Sequence, residues 1–285
     1  MRFSRGPPQV NKSGRWLPGI MLAGTALLTG CTGPAPLRVM LCDANATGDH
    51  TARHATLDRL SAVIRQHQPD LVGLQHADPA LAQQLRSALP DYGLAVHSGK
   101  AQASAGGAAI LYRRQRFGLV DAGELPLACS PGGLVATTPR VAAWARLRLN
   151  DMPWLELCVV QACVGSPVEH TYDESVRALR RLAKAVGPRP LVVLGELACG
   201  HSAYKNPSLV GAGPEGTELR EVVCCAARTT GVRWGPRAVS GGHQCILVNR
   251  ELDATATPQS AGRLDAGGSA VLLADLRLRR WSGYG

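Results

Sequence analysis

The sequence predicts an α/β fold in which two packed mixed β-sheets are flanked by helices, forming a four-layer sandwich. Strand and helix patterns alternate over residues 37–89, and several strand patterns, including a hairpin, follow without a helix between them. One more helix and strand then precede two strand patterns near the end of the chain. Neither a parallel sheet nor an antiparallel barrel explains this order alone, whereas two sheets with helices outside do.

The first half of the chain contains short apolar runs typical of buried strands, separated by amphipathic segments. A helix is predicted over 55–68, with Leu57, Leu60, Val63 and Ile64 on one face and Gln68-Pro-Asp at its end. A shorter helix is predicted over 81–89. Strands are predicted at 37–42, 70–75, 93–97, 108–113 and 117–120, and residues 121–139 are rich in turn signals.

The second half is organised around the segment Pro190–Gly200, whose valine-rich and leucine-rich start predicts a strand at 190–195 that is buried on both faces. This strand delivers Glu196 to its carboxyl end, where layered α/β proteins usually carry their chemistry. A hairpin of strands at 140–149 and 154–161 precedes it, followed by a helix for which Thr171 and Glu174 fit a capping box. A helix near 219–227 and strands at 245–248 and 270–278 complete one predicted domain, 37–280, with a tail at 281–285.

The first 36 residues differ in composition from the rest. Four basic residues precede an apolar run at 16–30 that ends in Leu28-Thr29-Gly30-Cys31. This pattern predicts a secretory signal peptide over 1–30 rather than a membrane span, with an uncleaved anchor or a chance apolar start as the alternatives. The final four residues also resemble the bacterial lipobox, so we expect a lipidated Cys31, a tether over 31–36, and a lipid-anchored, extracytoplasmic protein of the bacterial cell envelope.

Charge and cysteine content argue against a nucleic-acid-binding protein and against a zinc ribbon. The net charge is +10, and loss of the four basic residues in 1–30 leaves +6. Since this excess is mild and the arginines are scattered, it indicates a solvated basic face, and nucleic acid is not the expected partner. The nine cysteines include no Cys-x-x-Cys spacing, which argues against a zinc ribbon, and their pairing does not follow from the sequence.

Two motifs carry a family resemblance that extends over nearly all of 37–280. Leu37-Arg-Val-Met-Leu-Cys-Asp43 stands where the endonuclease/exonuclease/phosphatase superfamily has Arg-Val-Met-Thr-Phe-Asn, and Pro69-Asp-Leu-Val-Gly-Leu-Gln-His76 stands where it has Pro-Asp-Ile-Val-Gly-Leu-Gln-Glu. Framework segments at 109–112, 140–144, 194–195 and 246–248 follow in the expected order. The chain therefore resembles the metal-dependent phosphodiesterases of this superfamily, which include exonuclease III-like nucleases, bacterial sphingomyelinases and inositol phosphatases.

Every position to which the resemblance assigns chemistry carries a changed residue. Asp43 replaces a metal-binding asparagine, and His76 replaces a metal-binding glutamate. Gln161 and Cys163 replace the asparagine and histidine of Asn-Thr-His-Leu, and Glu196 and Ala198 replace the aspartate and asparagine of Gly-Asp-x-Asn. Near the end of the chain, Gln244 replaces an aspartate and Gly267-Gly268-Ser269 replaces a terminal Ser-Asp-His. Gly268 and Ser269 cannot supply an acid and a base, because glycine has no side chain and a serine hydroxyl does not titrate near neutrality.

These changes predict a catalytically inactive member of the superfamily, a pseudoenzyme, that acts as a membrane-anchored binding or scaffold protein and needs no cofactor. Its ligand is unknown, and a phosphate-containing molecule is one candidate. Natural decay and deliberate substitution of an active parent give the same chemical prediction.

The alternative is an active phosphoric ester hydrolase in which Asp43, His76, Cys163 and Glu196 bind zinc, or in which magnesium or manganese serves. A thiol nucleophile at Cys163 with His76 or His243 as its base is less favoured, since no spacing orients the base. The glycine pattern at Gly211–Gly216 is better read as a loop than as a dinucleotide site, since no clear strand and helix flank it.

Overall fold

The computed structural model describes residues 36–44, 50–98, 107–127, 141–163, 169–197, 219–224, 243–249, 252–254 and 271–278. The predicted signal peptide, Cys31, nearly all of the tether, Ala198, Gly268, Ser269 and the tail lie outside these ranges. The helices are α1 (His50–His67), α2 (Pro79–Ala88) and α3 (Glu169–Val186). The strands are β1 (Leu37–Asp43), β2 (Leu71–Ala77), β3 (Tyr92–Ser98), β4 (Gly107–Arg113), β5 (Phe117–Pro126), β6 (Val141–Leu149), β7 (Glu156–Cys163), β8 (Leu191–Leu197), β9 (Leu219–Cys224), β10 (His243–Asn249), β11 (Leu252–Ala254) and β12 (Val271–Leu278).

The strands form two six-stranded sheets, which confirms the predicted fold class. The first sheet has the order β11-β12-β1-β2-β4-β3, and the second has the order β5-β6-β7-β8-β10-β9. Both are mixed, because β1 runs parallel to β2 and β7 runs parallel to β8 while the other pairs are antiparallel. The described helices are too short or too polar to cross a membrane.

Alternating side chains along each central strand divide the core into three layers. In β8, Val192 and Leu194 pack between the two sheets, whereas Leu191 and Val193 pack against α3. The outer face of the first sheet packs in the same way against α1 and α2. The prediction that the strand at 190–195 is buried on both faces is therefore confirmed, and the helices supply the two outer layers.

Three local predictions were wrong. Residues 219–224 form strand β9 rather than a helix, because they pair antiparallel with β10. Strand β5 continues to Pro126 through residues predicted to be turns, since it pairs with β6 along its whole length. Helix α3 begins at Glu169, so Thr171 lies inside the helix and is not its N-cap.

The first and last described strands are joined by a partly buried ion pair. Arg38 of β1 donates from Nε to Oδ1 of Asp275 in β12 at 2.8 Å. The backbone amide of Arg38 also donates to buried Asp70 at 2.8 Å, and Asp70 receives a further hydrogen bond from Arg116 at 2.7 Å. Burial raises the pKa of the Asp70 carboxyl, and these hydrogen-bond and charge interactions oppose that rise. This network lies at the edge of the sheets opposite the carboxyl ends of β1 and β2.

Candidate functional site

The directions of the central strands determine where the predicted site residues lie. Strands β1 and β2 are parallel, as are β7 and β8, so Asp43, His76, Cys163 and Glu196 all lie at carboxyl ends. The two sheets meet with these ends at a common edge, where the hydroxyl of Ser98 at the end of β3 approaches the carbonyl of Val141 at the start of β6 at 3.5 Å. The fold thus brings the predicted strand ends of both sheets to one edge.

Two of the predicted site residues are in direct contact. The Nδ1 atom of His76 lies 3.0 Å from Oδ1 of Asp43, and both side chains are about three-quarters buried, with 25% and 23% of their surfaces exposed. His76 has a left-handed backbone with φ of 52°, an unfavourable conformation for a residue other than glycine. The pairing of β2 with β4 shifts register between Leu74 and Ala77, so this strained residue lies in a β-bulge. Bulges and strained residues of this kind occur frequently at functional sites.

Two fully buried glutamines lie near the same ends of β2 and β7. Gln75 precedes His76 and is in register with Asp43, and Gln161 lies on the neighbouring sheet near the end of β7. Within the described part of the chain, neither the side-chain nitrogen nor the side-chain oxygen of either glutamine has a hydrogen-bond partner. A Cβ atom at Gly73 would collide with Oε1 of Gln161, which shows that Gln161 reaches across to β2. The inner end of the site is therefore polar and uncharged.

Backbone pairing places three more predicted residues side by side. Cys163 of β7 is in register with Glu196 of β8, and Glu196 is in register with Gln244 of β10. The side chains of these three residues lie outside the described part of the structure. The structure thus brings Asp43 and His76 into contact, and it aligns the backbones of Cys163, Glu196 and Gln244.

The donors that are described do not fit a magnesium-type cation. Among residues with described side chains, no group of three or more His, Cys, Asp or Glu could hold a metal ion. Asp43 and His76 would supply one oxygen and one nitrogen, whereas magnesium takes oxygen ligands almost exclusively. Zinc accepts both nitrogen and oxygen, so a zinc site would require Cys163 or Glu196 to complete it.

Gln75 was not singled out from the sequence, although a signal for it is present. It is a polar residue at the end of the otherwise apolar run Leu71-Val-Gly-Leu74, so a strand buried on both faces has to bury its amide. Buried amides without partners are rare in native structures, and each one calls for an explanation.

The two cysteines with described side chains are structural. Cys42 and Cys158 are free and buried, and burial raises the pKa of their thiols to about 12 and about 11, respectively. A thiol with so high a pKa carries almost no thiolate at neutral pH, so neither residue is a nucleophile.

Comparison with known proteins agrees with this architecture. The model of the Endonuclease/Exonuclease/phosphatase family matches residues 44–195, more than half of the chain. No curated protein matches the sequence. Among solved structures, an endonuclease/exonuclease/phosphatase from Bacteroides vulgatus superimposes with a TM-score of 0.65 at 19% identity, covering 86% of this chain and 100% of that one.

Two further solved structures have named activities or ligands. The mannosyl-6-phosphatase of Bacteroides thetaiotaomicron has a TM-score of 0.59 at 18% identity, covering 84% of this chain and 99% of that one. The human Nocturnin catalytic domain with bound sulfate has the same TM-score and identity, covering 86% and 95%. At these identities the likeness shows the fold alone.

Proposed function

Because the chain belongs to the endonuclease/exonuclease/phosphatase family, we propose that it keeps the family's cleft as a binding site and has lost the family's hydrolysis. In this proposal the protein is a membrane-anchored binding or scaffold protein. Its ligand would enter at the edge where β1, β2, β7 and β8 end. The proposal rests on how the residues at that edge are engaged.

The observation that carries the proposal is the contact between Asp43 and His76 at 3.0 Å. The resemblance places metal-binding oxygen ligands at both positions, and a divalent cation of the magnesium type needs such ligands. An imidazole instead occupies one position and contacts an oxygen of the carboxylate at the other, so this oxygen is already engaged and the imidazole offers nitrogen in place of an oxygen ligand. The neutral amides of Gln75 and Gln161 near the same strand ends add no charge.

A hydrolysis assay on the full chain tests the proposal. Bis(p-nitrophenyl) phosphate, single-stranded DNA and sphingomyelin would each be incubated with the protein in the presence of magnesium, manganese or zinc. We expect no turnover above the rate in buffer. Asp91→Ala is the control, since Asp91 is an exposed carboxylate on the turn before β3. Turnover that disappears with a chelator and in Glu196→Ala, but persists in Asp91→Ala, would overturn the proposal.

An active zinc enzyme is the second candidate. It is favoured by the contact between Asp43 and His76 and by the register of Cys163 with Glu196, which bring four residues capable of binding zinc to one edge. The metal content of the protein after dialysis against zinc tests this candidate without reference to activity. One equivalent of zinc that is lost in His76→Ala but kept in His54→Ala, on the exposed face of α1, would support it over the leading proposal.

Anchoring through Cys31 is a separate part of the proposal. It is supported by the sequence Leu28-Thr29-Gly30-Cys31 at the end of an apolar run. In cells supplied with a labelled fatty acid, we expect the protein to carry the label and to sediment with membranes. Cys31→Ala should lose both properties and Cys42→Ala should keep both, whereas a label that does not depend on Cys31 would contradict the anchor.

A further inference from the structure

A groove lies on the outer face of the second sheet, away from the edge that carries Asp43 and His76. Strands β6 and β7 form its floor, and the carboxyl-terminal half of α3 forms one wall. The cavity has a volume of about 160 Å³. In β7, Cys158 and Val160 face this groove and α3, whereas Val159 packs between the sheets. The groove is therefore separated from the family cleft by the thickness of the sheet.

The floor of the groove is apolar and includes an aromatic surface. Trp144 of β6 is partly buried, and its indole lies against the backbone of Gly123 in β5, where a Cβ atom would come within 3.1 Å of the ring. Val160 and Leu182 line the cavity beside it. A side chain larger than glycine at position 123 would push the indole away. The ring position therefore depends on the close approach of β5 to β6 at this point.

The rim of the groove carries more positive than negative charge. Arg146 and Arg189 line the cavity, and both approach the same carboxylate oxygen of Glu156 at 3.7 Å. Arg148 also contacts Glu156, at 3.2 Å, and Asp121 lies 3.8 Å from Arg146. Among the described side chains, three guanidinium groups therefore share two carboxylates, which leaves an excess of one positive charge.

The hydrogen-bonding capacity of Arg146 is also only partly used. Its Nε atom is buried and has no hydrogen-bond partner among the described residues, because both of its carboxylate neighbours are more than 3.5 Å away. A buried donor on a charged group is costly to leave unpaired. A carboxylate is the acceptor that matches the planar donor set of a guanidinium best.

We propose that this groove binds a small amphipathic carboxylate, with the carboxylate on Arg146 and Arg189 and an aromatic ring or short acyl chain on Trp144. The charge excess and the partly exposed guanidinium groups of Arg146 and Arg189 select the anionic head, and the apolar floor selects the body. A groove of about 160 Å³ has room for a ring or a short chain. The site is independent of the function proposed for the family cleft.

Titration of the full chain with the fluorescent probe 8-anilinonaphthalene-1-sulfonate, followed by competition with octanoate or octanol, tests this site. We expect saturable binding of one probe and displacement by octanoate at concentrations at which octanol has no effect. Arg146→Gln and Arg189→Gln should each weaken octanoate binding about tenfold, and the double variant about a hundredfold, since each lost charged hydrogen bond corresponds to roughly a factor of ten. Arg114→Gln, on the exposed turn between β4 and β5, is the matched control and should change nothing.

Two further variants separate binding from structural effects. Glu156→Gln removes the carboxylate that competes for the arginines, so octanoate should bind more tightly, an outcome that damage to the fold would not produce. Ala185→Trp, on the exposed part of α3 beside the cavity, should block the groove while leaving the charges in place. Equal displacement by octanol, probe binding that survives Ala185→Trp, or unchanged octanoate affinity in the arginine variant would each overturn the proposal.

Discussion

Replacement of Gly73 by alanine tests the packing of the two sheets beneath the candidate site. The new Cβ atom would collide with Oε1 of Gln161 and would lie 2.8 Å from Cδ1 of Leu194. Both neighbours are fully buried on the opposite sheet, so neither can turn towards solvent. The methyl group therefore has to be accommodated by moving one sheet relative to the other or by forcing side chains off their rotamers.

The expected cost follows from this geometry. Adding one carbon to a well-packed core typically costs about 1–3 kcal/mol, and a contact with two immobile neighbours places Gly73→Ala near the upper end, at about 3 kcal/mol. For a domain of this size that corresponds to a fall in Tm of roughly 6–12 °C. Gly118→Ala in β5 is the matched control, because its nearest neighbour would be Oδ1 of Asn150 at an ordinary 3.6 Å, so its stability should change little.

A double-mutant cycle in urea identifies the contact responsible. In a Gln161→Ala background the oxygen that meets the new methyl group is absent, so Gly73→Ala should cost about 1–2 kcal/mol less than in the natural sequence. A residual cost should remain, since the contact with Leu194 is unchanged. If the two substitutions are additive, or if Gly73→Ala is no more harmful than Gly118→Ala, Gln161 does not lie against β2 and the description of the buried amides is wrong.

Two further predictions concern buried polar groups in other parts of the fold. Burial raises the pKa of the Cys42 and Cys158 thiols to about 12 and about 11. The two buried thiols therefore contribute fully to stability below about pH 9, and this contribution is lost as pH rises, because the unfolded chain ionises its thiols first. Urea unfolding at pH 10 should therefore show a loss of about 3 kcal/mol relative to pH 7.5, and substitution of both by alanine should remove this loss. Asn249 accepts from the amide of Leu191 at 3.0 Å and donates to the carbonyl of Arg189 at 2.7 Å, so Asn249→Ala should cost about 2–4 kcal/mol in the same assay, and a loss below 1 kcal/mol would contradict its role.

The sequence was sufficient to predict the two-sheet architecture because its central strands are local, strongly apolar segments. The strand that delivers Glu196 is an example, since valine and leucine at consecutive positions favour a strand buried on both faces. Residues 219–224 show the limit of this reasoning. Their alternation is too short to distinguish helix from strand, and pairing with β10 decides the outcome.

The contacts within the site could not be read from the sequence in the same way. The proximity of Asp43 and Gln75 follows from the parallel strands, but the contact between Asp43 and His76 depends on a bulge and a left-handed backbone that histidine does not favour. The position of Gln161 against Gly73 depends on how two sheets pack, which involves strands far apart in the chain. Local sequence patterns carry no information about either feature.

The position of β1 in its sheet has a consequence for how the molecule folds. One neighbour, β2, follows it closely in sequence, but the other is β12, so Leu37 pairs with Leu276 and Arg38 contacts Asp275. The centre of the first sheet therefore cannot be completed until the last strand is available. A nascent or truncated chain that lacks β12 would present β1 as an open edge of apolar residues, which is a template for pairing with other chains. Since contacts across such a long separation also slow folding, the last strand sets both the time at which this edge is closed and the period during which the chain is prone to aggregate.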